Sequence, residues 1–186
     1  MPGLNGLVVM KPTSIASTGT GNSSSIGANG KVTFSSCQTL SLNGVFSSAY
    51  DNYMIVMGDL SGSNQSVDIR LRASGTDNST ASSYTRQFLF GTGTSVSGAR
   101  VSDSSTPFFT GSTPARSGCI GYLFGPFLAQ PTAGRSVCCY GATDGTVLDY
   151  AFTHNQTTSY DGITFIANAG ASGLMTGIVT VYGFNQ

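Results

Sequence analysis

Glutamate is absent from this 186-residue sequence, tryptophan is missing, lysine occurs only at Lys11 and Lys31, and His154 is the single histidine. Charged residues make up 9% of the chain, against about 25% in ordinary proteins. Eight basic and eight acidic side chains cancel. Each shortage excludes something. Without a basic footprint there is nothing to neutralise a phosphate backbone, so nucleic acid is not an expected partner. Nor is an anionic membrane surface. Glu and Lys normally cover exposed helix faces, so their scarcity beside 25 Gly points to strands rather than helices.

Acid–base enzymes depend on placed His, Glu or Asp. Here Glu is missing, and Asp77, Asp103, Asp144, Asp149 and Asp161 stand mostly in Gly/Ser/Asn-rich stretches, where Asp commonly forms turns. No GxSxG elbow, GxGxxG loop or Walker pattern occurs. His154 ends an alternating segment and reads as a packed or loop-bonded ring. The four cysteines, Cys37, Cys119, Cys138 and Cys139, contain no CxxC pair, so neither a zinc site nor a disulfide scaffold is expected. Cys138 and Cys139 are adjacent and should point to opposite faces of one strand. The expectation is a non-enzyme with no cofactor and no metal.

What is present can fold. Eleven Phe and eight Tyr supply aromatic area for a core, and the length suits one domain. The exterior is left to Ser, Thr, Asn and Gly. With few charges to keep copies apart, such a surface suits contact with other subunits. The first ten residues have no basic leader region, and the most apolar stretch, around Tyr122 to Ala129, is interrupted by Gly and Pro; neither a secretory signal nor a membrane span is expected.

Residues 1–30 are rich in Gly, Ser, Thr and Asn and read as an arm; residues 31–186 read as the domain. Strands are expected at Val32–Phe34, Thr39–Leu42 and, past an Asn43-Gly44 turn, Val45-Phe46. Tyr53 to Leu60 should be buried on both faces. Val67 to Ala73 alternates best, with Val67, Ile69 and Leu71 on one side and Asp68, Arg70 and Arg72 on the other. Further strands are expected at Tyr84–Phe90, Ala99–Ser102, Cys119–Phe124, Ser136–Tyr140, Thr146–Thr153, Gly162–Ala167 and Gly177–Phe184. Gly91 to Gly98 reads as a connection, Asp144-Gly145 as a hairpin turn, and Gly118, Gly121 and Gly125 as bulges or close approaches. Strands at this spacing imply an all-β antiparallel sandwich or jelly-roll-like single domain with a short N-terminal arm.

Several residues are candidate contact points. Leu4, Leu7, Val8 and Val9 make the start too apolar to stay solvated; docking on a neighbour by strand addition is the expectation, a first strand of its own sandwich the alternative. Arg70 and Arg72 share one polar face, either as an intersubunit or receptor patch or as cross-strand salt bridges. Two polar runs resemble each other, 78–84 and 155–160, each leading into a Tyr. Asn78, Tyr84, Asn155 and Tyr160 are therefore candidate surface residues on neighbouring loops, with shared loop composition as the alternative. A sugar-binding module would use exposed aromatics such as Tyr84, Tyr122 or Tyr160, although the missing Trp weighs against it.

From about Lys11 onward the chain resembles a family of small virion proteins of tailed phages, frequent in phages of cyanobacteria and other aquatic bacteria. The resembling stretches are Lys11-Pro12-Thr13-Ser14-Ile15-Ala16, Ser41-Leu42-Asn43-Gly44-Val45-Phe46, Tyr50-Asp51-Asn52-Tyr53, Ile69-Arg70-Leu71-Arg72-Ala73-Ser74-Gly75-Thr76-Asp77-Asn78 and Val179-Thr180-Val181-Tyr182-Gly183-Phe184. It departs from the pattern at Met54-Ile55-Val56, where a basic residue after the Tyr would be expected. The resemblance implies a β-sandwich structural protein on the virion exterior, assembled in the host cytoplasm. It would serve as a tail-fibre or tip module for host attachment, or as a capsid decoration (cement) protein. It implies capsid or tail subunits as partners, a homotrimer, and possible contact with a host surface glycan, and it carries no catalytic residues. A free carbohydrate-binding module is the alternative function.

Overall fold

A computed structural model describes residues 6–63, 65–112, 116–141, 145–168 and 173–185. Among these there is no helix; 64% of the chain is strand, arranged as two antiparallel sheets. The strands are β1 (Val8–Met10), β2 (Ser14–Thr18), β3 (Ser23–Ile26), β4 (Val32–Cys37), β5 (Thr39–Asn43), β6 (Asn52–Gly62), β7 (Gln65–Ala73), β8 (Thr76–Asp77), β9 (Tyr84–Thr92), β10 (Ser95–Ser104), β11 (Phe108–Ser112), β12 (Ser117–Phe124), β13 (Ala133–Tyr140), β14 (Thr146–His154), β15 (Gly162–Ala167) and β16 (Met175–Phe184). The larger sheet runs β10-β9-β14-β13-β12-β6-β16-β4-β3, with β1 also paired to β16. The smaller runs β11-β7-β15-β5-β2, with β8 on β7. The expected all-β sandwich is the observed fold.

Period-2 alternation builds the core between the sheets. From the large sheet come Tyr53, Ile55, Met57, Leu123, Leu148, Phe152, Val179 and Val181; from the small sheet come Val67, Ile69, Leu71, Leu40, Leu42, Phe109, Ile163 and Phe165, all buried. Phe109 stacks edge-on against Phe165, with ring centroids 5.7 Å apart. Its ring lies over Gly121, where any Cβ would overlap it. Gly134 makes the same room for Phe152. The close approach expected at Gly121 is therefore present, and Gly118 stands at a register shift between β12 and β6.

The structure revises several expectations. The described part of the 1–30 arm is woven into both sheets: β2 pairs with β5, β3 with β4, and β1 with β16. Val45 and Phe46 are buried but form no strand; Phe46 packs on Tyr53 at 4.6 Å as a plug at the end of the sandwich. Tyr53 to Leu60 is dry on one face only, since Met54 and Val56 on the other are half-buried. The Gly91 to Gly98 connection is strand at both ends, and β10 is ten residues long. Asp144 of the expected hairpin turn lies outside the described residues; Gly145 has φ +55°, a conformation that favours glycine.

Candidate docking face

The two faces of the large sheet differ in what covers them. The inner face meets the small sheet. Among the described residues no strand packs over the outer face, yet it carries apolar side chains in cross-strand register. One row runs Val56–Ile120–Val137–Asp149–Leu89 across β6, β12, β13, β14 and β9. A second runs Tyr182–Met54–Tyr122–Arg135–Ala151. A third joins Gly118, Cys139 and Val147. Ile120, Val137, Leu89 and Val147 are each 46–53% exposed. Tyr122 and Phe124 stack with their planes 15° apart, both open to solvent. Single exposed apolar residues are ordinary, but contiguous rows mark a contact surface.

One ion pair interrupts the rows. Arg135 donates from Nε to Oδ1 of Asp149 at 2.9 Å and from Nη2 to Oδ2 at 2.5 Å. That fork holds the Asp149 carboxyl below its ordinary range. The pair is neutral as a unit, so a partner needs no opposing charge to cover it. A depression lined by Gln87, Leu89 and Ala151 borders it on one side, and two more lie on the other. One is lined by Val56, Ile120, Val137, Cys139 and Val147, the other by Ile120, Tyr122, Phe124 and Arg135.

The candidates named from sequence fall elsewhere. Tyr84 and Tyr160, expected at the surface, are each 1% exposed. They are corrected to core residues because their rings clamp His154, at 4.4 and 5.3 Å between centroids. Asn78 and Asn155 do sit on neighbouring loops at one end of the sandwich. Asn78 donates from Nδ2 to Tyr160 Oη at 2.5 Å, and Asn155 binds the carbonyls of Ser82 and Ser83. The two resembling runs thus bond to one another. Burial alone pushes the His154 imidazole down to about 4, and its Nδ1 has no hydrogen-bond partner.

Arg72 is 9% exposed and is a structural tie, not a contact patch. Its guanidinium binds Asp77, Thr164, Ser41, Asn43 and the Gly75 carbonyl across the outside of the small sheet. Asp68, on the same side, is held by Thr106 and Asn168 at 2.8 Å each. Burial raises its carboxyl despite those bonds. Arg70, opposite Thr164, is half-buried between them. At the start of the chain, Val8 and Val9 stand in β1 against β16, while Leu7 and Val9 stay exposed; Leu4 lies outside the described residues. For Val8 and Val9 the strand of the chain's own sandwich replaces the expected dock on a neighbour.

The adjacent cysteines point to opposite faces, Cys138 into the core and Cys139 onto the docking face. Cys119 lies opposite Cys138 across β12 and β13. The thiol contact with Cys138, together with burial, pushes the Cys119 thiol up. Among the described residues no group of three or more His, Cys, Asp or Glu is placed to hold a metal. The arrangement defines a β-sandwich whose open sheet face is chemically suited to protein contact. No protein-family model matches the sequence, and no curated protein or solved structure matches it.

Of the large apolar residues open on this face, the sequence singled out only Tyr122, as an exposed aromatic, and it is exposed here; Ile120, Phe124, Val137, Val147 and Leu89 were not named. A signal was there: residues 117–124 are apolar at both parities, which a strand with one solvated face does not require.

Proposed function

We propose that this chain is a non-enzymatic structural protein of a tailed-phage virion, seated on the particle exterior through the outer face of its large sheet. The observation that carries this reading is the uncovered row Val56–Ile120–Val137–Leu89, closed by a self-neutralised Arg135–Asp149 pair. A freely diffusing module has no use for such a face, whereas a subunit that is always seated covers it. The sequence resemblance supports the phage assignment. The tail-fibre or tip position and the capsid decoration position both use a seated face.

Mass spectrometry of purified particles of the encoding virus tests the proposal. The chain should be present, and Val137→Arg should release it while circular dichroism of the free protein stays β-type. Particles without the chain would overturn the reading. Copy number then sorts the position: hundreds per particle for decoration, a few dozen or fewer for the tail.

A second reading rests on the stacked Tyr122–Phe124 pair, which offers an aromatic platform to a sugar ring. A glycan array with Tyr122→Ala as control tests it; no signal above that control removes it.

A further inference from the structure

The sheets end in strands of very different exposure. β3 has four residues, while β2 and β11 have five each. β10, the end strand of the large sheet, has ten and pairs only with β9. It is exposed on both faces, and Val96 at 80% is the most exposed large apolar residue described. An edge strand presents a row of unpaired N–H and C=O groups, and proteins normally blunt it with Pro, Lys, a bulge or brevity. Residues 95–101 contain neither Pro nor Lys and pair without irregularity. The only bulge begins after Val101, where Asp103 takes φ +64°.

We infer that residues 95–101 of β10 pair antiparallel with the same segment of a second copy, joining two large sheets across a two-fold axis at Gly98. The register follows from three constraints. Outward residues must meet outward residues, so Val96, Gly98 and Arg100 pair among themselves. Centring on Gly98 is the register that pairs all seven residues. It sets Val96 opposite Arg100 of the second copy and Gly98 opposite Gly98.

The charges then fit. The two Arg100 side chains stand four residues apart along the strands, about 13 Å, which exceeds the screening length of about 8 Å at physiological salt. Each arginine stem lies along the valine opposite it. The axis is also filled. The Leu89 side chain already leans over Gly98, with Cδ2 2.7 Å from where a Cβ would stand. Two leucines, one from each copy, therefore close the gap left by the paired glycines. In this register the single charge of the segment avoids the same charge on the second copy. The product is a dimer rather than the trimer that the resemblance implies, and the seam is independent of whatever covers Ile120 and Val137.

Sedimentation equilibrium over a range of concentrations tests the inference. The chain should approach about twice 19.1 kDa as concentration rises. Val96→Lys sets a lysine against an arginine twice per dimer and should weaken self-association about tenfold. Val96→Asp should tighten it, and Val96→Lys combined with Arg100→Asp should restore it. Because Val96 is solvent-exposed, these variants should keep the β-type circular dichroism spectrum. A monomer at every concentration, a stable trimer, or a dimer indifferent to all three variants would overturn the inference.

Discussion

The inner and outer faces of the large sheet are built from nearly the same kinds of residue, and they do opposite things. Inside stand Tyr53, Ile55, Met57 and Leu123, with less than 2% of their surface open. Outside, one residue away along the same strands, stand Met54, Val56, Tyr122 and Phe124, all partly or largely open. The inner residues hold the fold. The outer ones add little to it, because in the isolated chain they stay in contact with water. The lesson is that apolar character does not assign a strand's two faces; only the presence of a covering layer does.

Truncation separates them most sharply. Leu123→Ala, in the dry face beside Gly134, should cost about 2–5 kcal/mol. Ile120→Ala, three positions earlier on the same strand, should move stability by no more than about 0.5 kcal/mol. Urea unfolding of the two variants measures both. Equal losses would mean that the outer face is covered within the chain itself.

The two arginine clusters make the same comparison with charge. Arg72 is buried and ties Asp77, Thr164, Ser41 and Asn43 together, so Arg72→Ala leaves several buried groups unpaired and should cost about 3 kcal/mol. Arg135 is open to water, and Arg135→Ala should cost far less. Thermal unfolding at neutral pH distinguishes them, with the larger drop in Tm expected for Arg72→Ala.

How far the sequence foretold this depends on the kind of signal. β7 was plain, because its alternation is clean and one parity is apolar. The partner loops 78–83 and 155–160 were also visible as similar runs, although their tyrosines point inward: a Tyr that opens a strand carries no mark of which side the opposite sheet will cover. The second half of β10 was expected as a strand at Ala99–Ser102, but its first half was hidden because Ser-Val-Ser-Gly has the composition of a loop, and its strand state depends on hydrogen bonds to β9. The docking face was hidden for the reason already given. In an antiparallel sheet, both parities being apolar reads as a doubly buried strand until the second cover fails to appear. The roles of Arg70 and Arg72 were balanced between contact and tie, and only the position of β8 and Asp77 decides for the tie at Arg72.

Acid probes the loop end against the rest of the sandwich. Burial holds His154 neutral down to about 4, with the Tyr84 and Tyr160 rings against it and the Tyr160 hydroxyl 3.4 Å from its Nε2. In the unfolded chain the ring takes a proton near pH 6.5. A depressed pKa contributes stability that is present above the unfolded value and is lost as pH falls through the folded one. Stability should therefore decline from pH 6.5 towards 4, by on the order of 3 kcal/mol. The raised carboxyl of Asp68 works the other way and softens the decline. Unfolding free energies across this window should flatten in His154→Phe; an unchanged slope would move the acid sensitivity elsewhere.

The smallest perturbation is the most direct reading of the two faces, because it need not change stability at all. Cys138 and Cys139 are neighbours on β13, one in each environment. A thiol reagent must reach the sulfur as a thiolate, so the buried Cys37, Cys119 and Cys138 should stay unmodified in the folded chain while Cys139 reacts. Intact mass should show one adduct under native conditions and four after unfolding. The same reagent applied to intact particles asks whether the face is covered there. Protection of Cys139 in the particle, with full reaction in the free chain, follows from a seat against β12, β13 and β14. Equal reactivity in both states would leave the outer face open to solvent even after assembly, and a docking role for Ile120, Val137 and Val147 would not survive it.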